Sequence, residues 1–296
     1  MITDNKNVNR YFPSNFIKHS LGELDMIVIS DGEVQYENSC FAPGIPKTIL
    51  EEILRNYGPI TPHFKLPHNI LVIRFKEHVI MIDTGNGYKE SPHAGRLLDN
   101  LALAGIAPKD ITNIILTHAH PDHINGLIDD KNSLIFPKAK IHISKKEFEF
   151  WQGEADFSKS KNTTESLLSL QKEIQFFFSI VQDQLQFFTG KDLLFECLQP
   201  ILMPGHTPGH CIFTITSGNE KFTHLADIFH DEIMLFTQPE WGTIFDIDFE
   251  LAGFSRRKVL EDFARSGQQV FGYHLPWPGF GYICQEKGSF KWDSKI

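Results

Sequence analysis

The chain has 296 residues, 41% of them hydrophobic, which is enough apolar material for the core of a single α/β enzyme domain. Its 28 basic residues stand against 37 acidic ones, a formal net charge of -9, so it lacks the basic face that a nucleic-acid partner would require. Four well-separated cysteines (Cys40, Cys197, Cys211 and Cys284) form no CxxC pair and read as small buried side chains or free thiols rather than a disulfide frame.

Met1 to Lys6 is polar, with no basic segment followed by an apolar one, and no apolar run reaches the length of a membrane span. The expectation is a cytoplasmic protein with no membrane partner. Residues 1–20 read as an irregular arm ahead of one domain, 21–296, with a helical and polar insertion around 145–182. Leu24 to Ile29 has the branched apolar content of a strand, and Ser30-Asp31-Gly32 reads as a turn after it. Lys47 to Tyr57 is spaced as an amphipathic helix with Ile49, Leu50, Ile53 and Leu54 on one face. Asn69 to Phe75 and His78 to Ile82 are strands joined by Lys76-Glu77, and the second runs into Asp83-Thr84-Gly85.

Helical spacing returns at His93 to Ala104, a short buried strand at Asn113 to Leu116, another strand at Lys140 to Ile143, and a helix through Trp151. Residues 152–168 are polar and read as a surface excursion before a helix at Leu167 to Ile180. Further strands are expected at Leu185 to Phe188, Leu193 to Leu198, Cys211 to Thr216 and Lys221 to Leu225. A helix at Phe249 to Ser266, with Arg256, Arg257 and Lys258 exposed, precedes a last short strand at Gln269 to Tyr273. Strands and helices alternate in two blocks, which predicts two packed β-sheets with helices outside.

The chemistry concentrates in Thr117-His118-Ala119-His120-Pro121-Asp122-His123, directly after a predicted strand. Three imidazoles and a carboxylate within six residues are all metal-ligand types, and packing alone gives no reason to crowd them. Other candidates also follow strands: His206, bracketed by Gly and Pro in Gly205-His206-Thr207-Pro208-Gly209-His210; Asp227; and His274 in Tyr273-His274-Leu275-Pro276. His142, His224 and the remaining histidines have no supporting spacing, while His210, four positions after His206, could be taken for a ligand. The 26 phenylalanines are core material or lining for an apolar pocket, and Trp151, Trp277 and Phe280 lie close enough in sequence to the motifs to be candidates for such a lining.

HxHxDH followed by GHTPGH, an aspartate and a last histidine resembles the metallo-β-lactamase superfamily over Asp83 to His274. The resemblance implies an α/β fold, a four-layer αβ/βα sandwich. It also implies a dinuclear centre in which His118, His120 and His206 hold one ion, Asp122, His123 and His274 hold the other, and Asp227 bridges them. Asp83 would support a ligand from behind. The resemblance gives His210 no ligand role and implies a structural one. The cofactor expectation is two divalent metal ions, zinc first, with iron, manganese or cobalt as alternatives. A hydroxide bridging the ions would attack an ester-type substrate, with Asp122 and Asp227 orienting it.

Class B β-lactamases replace the bridging aspartate by cysteine or serine, and flavodiiron proteins carry glutamate at the position of His120; this chain has neither change. The segments Ala226 to His230, Phe245 to Asp248, Ser255 to Arg257 and His274 to Gly281 resemble the methyl parathion hydrolase-like branch, with N-acyl homoserine lactonases as neighbours. Many of those lactonases carry a tyrosine three residues after the bridging aspartate, where this chain has His230; the departure counts against a lactonase, and His230 is a candidate hydrogen-bond donor to substrate. A carboxyl ester, lactone or phosphotriester is the expected small and apolar substrate. A glyoxalase II-like thioesterase, a non-catalytic metal-binding protein and an iron-dependent oxidoreductase stand as alternatives. Relatives imply a homodimer.

Overall fold

A computed structural model describes residues 15–88 and 93–294. Of the N-terminal arm, residues 1–14 lie outside the described part. The remainder is not irregular, because β1 (Phe16–Leu21) pairs antiparallel with β2 (Leu24–Glu37). Among the described residues no helix is long and apolar enough to cross a membrane.

The first sheet has seven strands in chain order: β1, β2, β3 (His63–Phe75), β4 (His78–Ile82), β5 (Asn113–Leu116), β6 (Lys140–Ser144) and β7 (Leu185–Phe188). Pairing is antiparallel through β4 and parallel from β4 to β7. The second sheet has six strands in the order β13-β12-β11-β10-β9-β8. These are β8 (Leu198–Leu202), β9 (Cys211–Ser217), β10 (Glu220–His224), β11 (Val270–Phe271), β12 (Phe280–Glu286) and β13 (Ser289–Asp293).

The period of two along each strand divides the core into layers. Met26 and Val28 of β2, Leu71 and Ile73 of β3 and Ile80 and Ile82 of β4 meet Phe213, Ile215, Phe222 and Phe271 between the sheets. The alternate residues Ile27, Ile29, Ile70, Val72 and Met81 face outward. They are covered by α2 (Leu97–Leu103), α4 (Lys145–Gln152) and α5 (Thr164–Val181). On the far side, Ile212, Val270 and Ile283 lie under α1 (Lys47–Arg55), α6 (Met234–Thr237) and α7 (Phe249–Ser266). The four-layer sandwich expected from the sequence is therefore present. A single turn, α3 (Pro121–Ile124), completes the helices.

Several local expectations are corrected. Ser30-Asp31-Gly32 is not a turn but a bulge inside β2, which pairs with β3 from Asp25 to Glu37. The bulge releases the Asp31 carboxylate, which accepts from the backbone N–H groups of Asn86, Gly95 and Leu97. The strand expected at Leu193 to Leu198 is a tight reversal through Phe195 and Glu196, both with positive φ. The true strand, β8, contains Pro200, which is tolerated because β8 is the sheet edge. The sequence reading ended its strands at Tyr273, yet β12 and β13 follow as a hairpin around Lys287-Gly288. Both turn residues have positive φ, as a two-residue hairpin loop favours. Finally, Arg256 is buried rather than exposed. Its guanidinium donates to the carbonyls of Ile228, Pro239 and Trp241 and pairs with Asp246.

Candidate metal centre

The candidate residues converge at one edge of the sandwich, on the loops that leave β4, β5 and β10, the loop that enters β9 and the loop that follows β11. His118 and His120 follow β5, and Asp122 and His123 lie in the single turn α3. His206 precedes β9, Asp227 lies just past β10, and His274 lies beyond β11. The backbone leaves β4 and β10 through two strained positions, Asp83 (φ 63) and Ala226 (φ 48).

The donor atoms of His118, His120 and His206 lie within 4.8 Å of one another, and so do those of Asp122, His123, Asp227 and His274. Asp227 joins the groups. Its Oδ1 is 3.2 Å from His123 Nε2, and its Oδ2 is 3.2 Å from His274 Nε2, 3.4 Å from His206 Nε2 and 3.8 Å from His118 Nε2. His120 joins through Nδ1, which is 2.8 Å from His206 Nε2. His230, expected as a substrate contact, sits closer to the cluster than the sequence suggested. Its Nε2 is 3.4 Å from Asp227 Oδ2, and with His206 and Asp227 it forms a third close group.

The opposite ring nitrogens are fixed from behind. His123 Nδ1 lies 2.8 Å from Asp83 Oδ2, while Asp83 also accepts from the backbone N–H and hydroxyl of Thr117. Asp83 thus touches both a ligand candidate and the loop that carries it. His206 Nδ1 meets Asp246 at 2.9 Å, and Arg256 backs Asp246. His274 Nδ1 meets the carbonyl of Pro67 at 3.0 Å. These contacts leave Nε2 of His123, His206 and His274 facing the cluster. His210 is outside it: Nδ1 donates to the Met203 carbonyl and Nε2 accepts from the Asp227 backbone N–H, which fixes the loop as expected of a structural residue.

Charge is distributed unevenly. Burial pushes His118 and His120 well below the usual histidine range. Burial also opposes charge on His123 and His274, but neighbouring carboxylates, Asp227 foremost, outweigh it; His123 is raised well above the ordinary value and His274 to about 9. Burial likewise disfavours the charged forms of Asp122 and Asp227, yet the surrounding histidines, His123 foremost, hold both carboxyls low. Burial lowers His230 to about 4, so it is neutral at ordinary pH.

The donor set suits divalent ions of the zinc type, with imidazole nitrogen and carboxylate oxygen only. His118 Nε2 is buried without a hydrogen-bond partner, a costly condition that a bound cation relieves.

The cluster forms the floor of a pocket of about 210 Å³ with apolar walls from Leu66, Leu167, Leu170 and Phe245, and with Tyr36, Asn86, Pro121 and Asn162 among its other lining residues. The polar excursion is therefore not only surface, since Asn162 and the start of α5 form a wall. Trp151, Trp277 and Phe280 are not among the lining residues. Trp151 is buried and donates to Glu147, while Trp277 and Phe280 pack between the sheets. Sequence reasoning missed Tyr36, His68 and Asp246. Buried His68 lies 3.4 Å from Asp31 Oδ2 and 3.6 Å from Asp122 Oδ2. Tyr36 and His68 are carried in by the long β2–β3 pairing, and a correct reading of Asp31 as a bulge would have extended both strands to include them.

AidC, a dizinc quorum-quenching lactonase solved in complex with a product N-hexanoyl-L-homoserine, is 37% identical; the superposition covers 96% of this chain and 98% of that one, with a TM-score of 0.90. The hydrolase AbOPH of the beta-lactamase superfamily is 27% identical over 96% of this chain and 98% of that one, with a TM-score of 0.86. The protein YobT of Bacillus subtilis is 33% identical over 134 residues, which is 45% of this chain, so the match spans about half (54%) of that relative's length. The sequence profile of the Metallo-beta-lactamase superfamily matches residues 64–283, within which all the clustered histidines and aspartates fall. The chain belongs to the metallo-beta-lactamase superfamily.

Proposed function

We propose that the protein is a dinuclear metal-dependent hydrolase of ester-type bonds, and that lactones bearing an apolar acyl arm are its substrates. The observation that carries this reading is Asp227, whose carboxylate groups with Asp122, His123 and His274 and also lies 3.4 Å from His206 and 3.8 Å from His118, at the floor of an apolar-walled pocket. In this reading His118, His120 and His206 hold one ion and Asp122, His123 and His274 the other, zinc being favoured by the imidazole-rich donors. When bound, such ions polarise a carbonyl oxygen and make a water nucleophile available near neutral pH. The likeness to a dizinc lactonase over nearly the whole chain supports the narrower choice of substrate.

The chain's own residues supply the rest. The apolar walls hold the acyl arm and exclude water from it. Neutral His230 and the Tyr36 phenol present hydrogen-bonding groups to substrate oxygens on the pocket surface. As water adds to the lactone carbonyl carbon, Asp122 takes its proton. As the ring C–O bond breaks, the same carboxyl returns the proton to the leaving oxygen, which ends as a hydroxyl beside the new carboxyl group, whose own proton is released to solvent. Asp122 is held for this by His274, at 3.3 Å, with His68 behind it.

The test is a substrate panel with zinc- or manganese-replete enzyme: N-hexanoyl homoserine lactone, an aryl ester, a phosphotriester, a β-lactam and S-lactoylglutathione. The lactone should be opened with the highest kcat/KM. Faster phosphotriester turnover would overturn the lactone assignment, and no hydrolysis of any ester would overturn the enzyme class.

A further inference from the structure

Glu147 is a buried carboxylate that the function proposed above does not use. It lies in the first turn of α4, and each of its oxygens accepts two hydrogen bonds. Oε1 takes the backbone N–H of Ala119 at 3.0 Å and the Trp151 indole N–H at 2.7 Å. Oε2 takes the Thr207 hydroxyl at 2.6 Å and the backbone N–H of Gly209 at 2.9 Å. Ala119 sits between His118 and His120, while Thr207 and Gly209 follow His206 on its loop. One side chain therefore ties together the two chain segments that bring these three histidines into one group.

Three of the four partners are obligate donors, two backbone amides and an indole. Only an acceptor at both oxygens satisfies them, and the ionised carboxylate does so. Burial pushes the Glu147 carboxyl up, and these hydrogen bonds oppose that shift. The N-terminal turn of α4 adds a favourable dipole. A glutamine at 147 must turn its NH2 toward one side, where it faces at least one backbone N–H, donor against donor. The loop is also fitted closely to α4: a Cβ on Gly209 would lie 2.2 Å from the Glu147 backbone nitrogen. Asp83 makes the corresponding contacts for the other group, through His123 and Thr117.

We infer that Glu147 is a positioning residue for one of the two metal sites, holding His118, His120 and His206 in register without touching ion or substrate. The inference rests on the reading that these histidines bind an ion. Its test is a cobalt(II) titration of the metal-stripped protein against a competing chelator, followed by the cobalt visible absorption and by the melting temperature of the metal-free forms. Wild-type protein should bind in two steps, and His206→Ala identifies the step that belongs to this group. Glu147→Gln should weaken that step roughly 10–100-fold, the range for residues that orient ligands, and leave the other step where it was. Thr207→Val, which removes one of the four donors, should shift the same step in the same direction by less, and it carries the test if Glu147→Gln does not fold. Equal weakening of both steps, or a lower melting temperature with both steps unchanged, would overturn the inference alone. A wild-type protein that binds no cobalt would overturn the proposed function as well.

Discussion

His118 and His120 are buried imidazoles whose protonated forms are disfavoured, whereas His123, three residues further along the same loop, and His274 opposite it face carboxylates that favour the proton. The first group has three imidazoles, with Asp227 Oδ2 at 3.4 Å from His206 and 3.8 Å from His118; the second has two imidazoles, Asp122 and Asp227 itself. Six adjacent residues thus serve two electrostatic environments, because His118 and His120 lie in the loop after β5 whereas Asp122 and His123 lie in the turn α3. If both halves hold ions, they should load differently, and the difference should depend on pH.

The largest effect should come from removing what the halves share. Asp227→Ala should lower kcat/KM by about 10³-fold or more, since metal electrostatics contribute several kcal/mol, and elemental analysis should find both ions reduced. Loss of one ion only would break the comparison by showing that Asp227 belongs to a single site. Next in size, Asp83→Asn and Asp246→Asn should each weaken one half by roughly 10–100-fold, Asp83 through His123 and Asp246 through His206. Competitive titration of each variant reads this directly, and equal effects on both halves would contradict the division.

The pH dependence sharpens the same contrast. His274 is raised to about 9 and His123 is also raised. In metal-stripped protein their pairing with carboxylates stabilises the fold fully below about pH 6.5, the unfolded histidine value. That contribution is lost as pH rises through the folded value. Asp122 and Asp227 are lowered, so their contribution is present above about pH 3.9 and is lost on further acidification. The part of the melting temperature of metal-stripped protein that these pairs supply should therefore be greatest between these limits and fall toward pH 9. Metal at the second group must displace these protons, so its affinity should rise up to pH 9, by roughly tenfold per unit for each proton released. The His118 and His120 half should be flatter over the same range.

The smallest effects lie on the pocket walls. Tyr36→Phe should cost about fivefold in kcat/KM, the worth of one hydrogen bond of about 1 kcal/mol. Leu170→Ala should lower the preference for longer acyl arms by about fourfold per methylene that loses its contact, at about 0.8 kcal/mol each. A kinetic series over acyl length checks both.

The clustered metal-ligand residue types could be read from the sequence because they recur in local spacings: HxHxDH, a Gly/Pro-framed histidine, and an acid or imidazole just past a strand. The layered fold was readable for a related reason, since continuous apolar runs such as Leu71 to Ile73 announce strands buried on both faces. What escaped depends on register between distant segments. Tyr36 reaches the pocket because β2 runs past a bulge, a feature that looks like a turn in sequence. Arg256 looks like one of three surface cations, and only the fold shows it buried under three carbonyls with Asp246 beside it. Glu147 looks like an exposed helix residue after two lysines, and only the packing of α4 against the loops that carry His118, His120 and His206 gives it four donors.

The central claim is that two ions sharing Asp227 make the protein a hydrolase. The most direct measurement strips the protein with a chelator, returns zinc in stoichiometric steps, and follows N-hexanoyl homoserine lactone opening at each step. The account predicts negligible turnover without metal and recovery that is complete at two equivalents per chain. Full turnover in protein shown by elemental analysis to be metal-free, or complete recovery at one equivalent, would contradict it.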